Sequence, residues 1–96
     1  MPTSRARVPT SNGSKYLQQL CRHWEHKFPV ENTAERGHID LGQGRVCAMQ
    51  ASGDLLTVEA TAQDPTGLPG LESVIADHLK RFGFREDLVF CWQAAA

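Results

Sequence analysis

The sequence predicts an α+β fold, a two-layer sandwich in which two helices cover one face of a mainly antiparallel sheet. Two segments carry apolar residues at the spacing of an amphipathic helix. Five shorter segments show strand-like alternation and are bounded by turn-forming residues such as Gly, Pro, Asn and Asp. Their order along the chain, βαβββαβ, resembles a split βαβ plait with one extra strand. The order of the strands within the sheet does not follow from this pattern.

The first strand and the first helix are predicted near the N-terminus. Thr3–Val8 alternates small or apolar side chains with polar ones, which predicts a half-buried strand. After a turn rich in N-cap residues, a helix is predicted over Ser11–Lys27, ended by Pro29. Its apolar stripe consists of Tyr16, Leu17, Leu20, Cys21, Trp24 and Phe28.

Three strands in quick succession predict an antiparallel meander. They are His38–Leu41, Arg45–Ala51 and Leu55–Ala62, and residues 29–31 are a further short extended piece. The connections are too short for crossover helices, so neighbouring strands must run antiparallel. The third strand has one clearly more apolar face, which indicates that helices cover that face of the sheet.

The second helix is predicted from about Pro69 to Gly83, because Gly67 and Gly70 weaken an earlier start at Asp64. Its stripe contains Leu71, Val74, Ile75, His78, Leu79 and Phe82. Leu88–Gln93 then carries bulky side chains on both faces, which predicts a central or covered strand. Residues 94–96 are predicted to be a loose tail.

Length and charge favour one ordinary globular domain. The 96 residues are enough to bury a core without disulfides or metals, so residues 1–96 are predicted to form a single domain. The formal net charge of -1 lacks the basic excess of a general nucleic-acid binder, and we expect no nucleic-acid partner.

The cysteines and the hydropathy pattern predict a cytoplasmic protein. Cys21, Cys47 and Cys91 are odd in number and lack C-x-x-C spacing, which favours reduced thiols in structural roles. The N-terminus has no apolar run typical of a secretory signal, and no segment approaches the roughly 20 apolar residues of a membrane span.

His23 and His26 are candidate metal ligands. They are three residues apart on the predicted first helix, so their side chains are neighbours and could share a divalent metal ion. Two histidines are too few for a zinc site, and a third group such as His78, His38 or a carboxylate would have to join them. The alternative is a pair of exposed histidines.

His78 falls inside the apolar stripe of the second helix, where a polar ring needs a hydrogen-bond partner. It is either a core histidine or a ligand-facing group. Arg81 and Arg85 follow it near the helix end and are candidate anion-binding residues, with Lys80 as a third cation. Their structural alternative is favourable interaction with the helix dipole.

Three segments resemble the bacterial domain-of-unknown-function family 2218: MPTSRARV (1–8), YLQQLCRHWEHK (16–27) and HLKRFGFRE (78–86). The resemblance covers nearly the whole chain. Related domains occur attached to siderophore-interacting proteins, which are flavin-dependent reductases, so the resemblance implies an iron-uptake context and a siderophore-interacting or iron-uptake protein as partner. It implies no catalytic role for any residue.

Three functions therefore compete. The first is a non-catalytic cytoplasmic binding or accessory domain, linked to siderophore or iron handling, that uses His78, Arg81 and Arg85. The second is a metal-binding protein, with or without enzymatic activity, built on His23 and His26. The third is a homodimer formed through an exposed strand edge or through the uncovered sheet face. Arg5, Arg7 and Glu59 disfavour an apolar contact on that face, so the strand edge is favoured.

Overall fold

The computed structural model describes residues 2–95, which form one six-stranded antiparallel sheet and two helices. The strands are β1 (Thr3–Pro9), β2 (Val30–Asn32), β3 (Arg36–Gly42), β4 (Arg45–Ser52), β5 (Leu55–Thr61) and β6 (Gln93–Ala94). The helices are α1 (Gly13–Trp24) and α2 (Leu68–Phe82). The predicted α+β class is confirmed.

The strand order is β2-β3-β4-β5-β1-β6, and every pairing between neighbours is antiparallel. The predicted meander is confirmed as β3, β4 and β5. β1 extends the meander by pairing with β5, so that Ala6 lies opposite Val58. The short strands β2 and β6 form the two edges of the sheet.

Helix α1 is shorter than predicted. It begins at Gly13 and its last residue is Trp24. The chain continues as a hydrogen-bonded turn, in which the Phe28 amide donates to the Trp24 carbonyl over 3.0 Å. Pro29 disfavours the α conformation of Phe28, so a helix cannot continue beyond this turn.

Helix α2 begins one residue before the predicted start. Asp64 caps a single 3-10 turn at Pro65–Gly67, where its carboxylate accepts a hydrogen bond of 3.0 Å from the Thr66 amide. The residues that α2 buries are Leu71, Ile75, Ala76 and Leu79. Val74, which the sequence placed in the buried stripe, is 45% exposed, because it lies beside the buried row and not within it.

The core lies between the helices and one face of the sheet. Its largest fully buried side chains are Leu17 and Leu20 from α1, Ile75 and Leu79 from α2, and Val8, Ile39, Leu56 and Val58 from the strands. The opposite face of the sheet has no helix of residues 2–95 packed against it and carries polar side chains.

The prediction for the last strand is wrong. Leu88–Gln93 is not a central strand; only Gln93 and Ala94 pair, with Arg5 and Ser4 of β1, at an edge of the sheet. Leu88 is buried, and Phe90 and Trp92 pack partly against the core, while Val89 and Cys91 are exposed. The alternation therefore reflects side-chain packing without strand pairing. The predicted tail begins within β6, and Ala96 lies outside the described residues.

Neither helix of residues 2–95 is long and apolar enough to cross a membrane.

Candidate functional site

The two helices bring His23 and His78 together. The ring centroids of these histidines are 5.1 Å apart, and their planes are tilted by 55°. The Trp24 ring lies 5.0 Å from that of His78, and the Phe82 ring lies 6.1 Å from that of His23. We call these four residues the histidine cluster. It lies where α1 and α2 contact each other.

His78 is half-buried and hydrogen-bonded to its own helix. Its Nδ1 lies 2.7 Å from the carbonyl oxygen of Val74. A carbonyl can only accept, so Nδ1 carries the proton and Nε2 of the neutral ring keeps its lone pair. The polar partner predicted for this ring is therefore a backbone carbonyl.

His26 does not belong to the histidine cluster. It is exposed, as is His23, and the ring that lies against His23 is that of His78 from the other helix. Within residues 2–95, no three His, Cys, Asp or Glu side chains converge in a geometry that could hold a metal ion. The third ligand that the sequence required for a metal site on His23 and His26 is not found in this part of the chain.

Arg81 and Arg85 are both exposed near the end of α2. Arg81 lies about one helical turn after His78 and so borders the histidine cluster. The Arg85 guanidinium lies 5.4 Å from the ring centroid of the exposed Phe84, within the range of a cation–π contact. Three concave surfaces within residues 2–95 are lined by other residues. Ligand binding by His78, Arg81 and Arg85 stays a prediction.

Glu86 connects the segment after α2 to the start of α1. The sequence pattern did not predict this contact. The Glu86 carboxylate accepts hydrogen bonds of 2.8 Å from the Thr10 hydroxyl and from the Asn12 amide. The Tyr16 hydroxyl donates a third. These hydrogen bonds lower the pKa of Glu86, and the bond from Tyr16 has the largest effect. The hydrogen bond between the two side chains also raises the pKa of Tyr16. The network is structural and stabilises the charged carboxylate.

We therefore expect a Glu86→Gln variant to be less stable at pH 7 and to differ less from the parent at pH 3. The folded protein has the lower Glu86 pKa, so the stabilisation is complete above the ordinary value of 4.5 and is lost as the pH falls below it. Urea unfolding at both pH values measures this. Asp87→Asn is the matched control and should leave the difference unchanged; an equal effect of both variants would contradict the assignment.

The uncovered face of the sheet carries two rows of side chains that cross the strands, and all of them are polar except Ala48. In one row, Arg36 lies opposite Gln50, Gln50 opposite Thr57, and Thr57 opposite Arg7. The neighbouring row runs Glu31, His38, Ala48, Glu59 and Arg5. We call these nine residues the open sheet face.

A depression of about 540 Å³ lies on the open sheet face. Ala48 has the smallest side chain of the two rows and lies between His38 and Glu59, and all three residues line the depression. Arg36, Gln50 and Thr57 line one side of the depression. Most of the residues that line it carry hydrogen-bonding side chains, and such groups can orient a polar ligand.

The charges of the open sheet face are unevenly compensated. The Arg5 guanidinium donates to Glu59, with Nη2 2.6 Å from Oε2, so these two charges offset each other. Within residues 2–95, Arg36 and Arg7 form no ion pair. They lie three strand spacings apart, about 14 Å. The face therefore presents two guanidinium groups that can bind an anionic partner.

Sequence reasoning found only part of this face. It placed Arg5, Arg7 and Glu59 on the outer side of the sheet, but it did not place Arg36 and Gln50 beside them. The alternation within each strand was a usable signal for the face. The row that joins four strands depends on strand order and register, which the sequence alone does not determine.

The two buried cysteines are not reactive thiols. Cys21 and Cys47 are buried and free, and Cys91 is exposed. Burial raises the pKa of the Cys21 thiol to about 11 and also raises that of Cys47. Both are therefore protonated at neutral pH and are poor nucleophiles. This agrees with the structural role predicted for these two, whereas Cys91 lies at the surface.

The sequence profile of DUF2218, described as an uncharacterised protein conserved in bacteria, matches residues 5–93. The chain belongs to this family. Its fold is similar to that of a solved structure described as the NMR structure of PA4090 from Pseudomonas aeruginosa. That chain is 39% identical, the alignment covers 97% of this chain and 96% of that one, and the TM-score is 0.81. No curated protein matches the chain.

Proposed function

We propose that this DUF2218 domain is a binding or accessory domain that binds an anionic small molecule on the open sheet face. The observation that carries the proposal is the pair of arginines, Arg36 and Arg7, that face solvent without an ion-pair partner among residues 2–95. Guanidinium groups bind carboxylates and similar planar anions through two parallel hydrogen bonds.

The groups between the two arginines favour a ligand that also forms neutral hydrogen bonds. Gln50 and Thr57 lie between them in the same row, and His38 and Glu31 lie in the neighbouring row. Amide, hydroxyl and imidazole groups can each donate or accept, while Glu31 accepts only. A molecule that combines carboxylate or catecholate oxygens with amide or hydroxyl groups matches this set.

The iron-uptake setting is a further part of the proposal, and it rests on the resemblance to domains attached to siderophore-interacting proteins. Carboxylates and catecholates are also the iron-binding groups of siderophores, so the ligand chemistry is compatible with that setting. We place the domain in the cytoplasm, which its free cysteines support. Calorimetry with a purified siderophore-interacting reductase tests the partner, and the absence of any binding heat would contradict it.

Affinity measurements on charge variants test the ligand site. We expect Arg36→Gln to weaken binding of citrate or 2,3-dihydroxybenzoate by about 1.5–3 kcal/mol, roughly tenfold to a hundredfold, because a charged hydrogen bond is lost. Arg22→Gln on the outer side of α1 is the matched control and should bind as the parent does. Isothermal calorimetry measures both.

The results that would contradict the proposal also distinguish the open sheet face from the end of α2 as the binding surface. If Arg36→Gln binds normally while an Arg81→Gln/Arg85→Gln double variant is defective, the ligand binds at the end of α2 and not on the open sheet face. If the parent protein binds neither probe at millimolar concentration, the anionic ligand class is wrong.

A further inference from the structure

We propose that a depression between the start of α2 and strands β1 and β6 binds a small primary amine, that is, an ammonium group on an apolar body. Its volume is about 500 Å³, which is within the range of small-molecule sites. It lies on the helix side of the sheet, because Leu68 and Glu72 of α2 line it. The site is therefore separate from the open sheet face and does not rest on the proposed function.

The hydroxyl of Ser4 is the observation that points to a ligand. Ser4 lines the depression and is 3% exposed, on the same face of β1 as the core residues Ala6 and Val8. Its Oγ is buried and has no hydrogen-bond partner among residues 2–95. The residues opposite it, Ala60 on β5 and Ala94 on β6, have methyl side chains that cannot supply one. A buried hydroxyl without a partner is unfavourable, so a ligand that forms a hydrogen bond with it gains affinity.

Glu72 gives the depression its charge. It is half-buried, and of the described residues that line the depression it alone is charged. It forms no ion pair within residues 2–95, and no Lys or Arg lies three or four positions away from it along α2. It lies one turn after Leu68, the first residue of α2, and so beyond the turn in which the helix dipole opposes a cation. The carboxylate can therefore bind a cation and repels an anion.

Trp92 adds an aromatic surface to the same depression. Its ring is half-buried and stacks on the Phe90 ring, with centroids 5.9 Å apart and planes tilted by 22°. The face of a tryptophan ring attracts a cation, and Leu68 adds apolar surface to the lining. An ammonium ion with an apolar body matches this set of groups. Its N–H groups donate to the Glu72 carboxylate and the Ser4 hydroxyl, while its body packs on Trp92.

Titration of ¹⁵N-labelled protein with 2-phenylethylamine tests the proposal. The chain contains two tryptophans, so one indole N–H signal reports on the site and the other on the core. We expect saturable shifts of the Trp92 indole and of the Ser4 and Glu72 amides, with the Trp24 indole unchanged. The neutral isostere 2-phenylethanol should bind at least about tenfold more weakly. Phenylethyltrimethylammonium keeps the charge but has no N–H donor, and it should also bind more weakly than the amine.

Three variants assign the groups that bind the amine. Glu72→Gln should weaken binding at least about tenfold, while Asp77→Asn, at an exposed position further along α2, is the matched control and should bind as the parent does. Ser4→Ala should weaken binding about threefold to tenfold. Without the amine, the melting temperature of Ser4→Ala should equal or exceed that of the parent, because the substitution removes an unpartnered buried hydroxyl.

Three outcomes would overturn the proposal. One is the absence of any shift of the Trp92 indole at millimolar amine. Another is equal binding of 2-phenylethylamine and 2-phenylethanol, which would leave apolar contact as the only cause of binding. The third is normal amine binding by Glu72→Gln. The amine is a cation and the ligand of the open sheet face is an anion, so this inference and the proposed function fail separately.

Discussion

Leu20→Ala is expected to lower the free energy of unfolding by about 2–5 kcal/mol, since it removes a fully buried side chain and leaves a cavity. Leu20 is 0% exposed and faces the sheet from α1. In a domain of this size, such a loss lowers the melting temperature by roughly 10 °C or more. Urea or thermal unfolding followed by circular dichroism measures the change.

The control for this substitution lies two residues further along the same helix. Arg22 is exposed, so Arg22→Ala should change the free energy of unfolding by no more than about 0.5 kcal/mol. If Leu20→Ala were as mild as Arg22→Ala, α1 would not pack on the sheet as the structure describes.

Gly37→Ala is expected to destabilise the protein by about 1–3 kcal/mol through overpacking. Gly37 lies on β3 beneath α1, and a Cβ atom there would be 2.8 Å from the Cys21 sulfur and 3.4 Å from Leu17 Cδ1. The absence of a side chain thus allows α1 to lie close to the sheet. Chemical denaturation of the single variant gives the size of the effect.

A double-mutant cycle identifies the cause. Cys21→Ala removes the sulfur that the new Cβ would meet, so the combined loss should be smaller than the sum of the single losses by at least about 0.5 kcal/mol. Gly70→Ala is the control, because a Cβ there meets nothing within 4 Å and alanine favours the helix. Additive losses, or destabilisation by Gly70→Ala, would contradict this account of the packing.

The elements that sequence reasoning placed correctly are those with a strong period or a short turn. Leu17 and Leu20 recur at helical spacing, and both are fully buried in α1. The Ser52-Gly53-Asp54 turn joins two runs of alternating residues, and β4 and β5 pair there as a hairpin. Local patterns of this kind depend on the chain alone, so the sequence carries them completely.

The candidate sites could not be placed in the same way, because they depend on contacts between distant elements. His23 was paired with His26, three residues away, whereas its ring neighbour is His78 on the other helix. How the two helices pack decides that, and no local pattern shows it. Arg36 and Arg7 likewise share a row only because β1 pairs with β5. The last strand was misplaced for the same reason. Where it pairs depends on the strand order, and β6 pairs only with the outer edge of β1.

Binding of an anionic ligand on the open sheet face is the central claim, and a titration of ¹⁵N-labelled protein with citrate, followed by amide chemical shifts, tests it most directly. We expect the largest shifts on β1, β3, β4 and β5, at Arg7, Arg36, Gln50 and Thr57, with little change in α2. Shifts confined to residues around His78, Arg81 and Arg85, or no shifts at millimolar citrate, would contradict it.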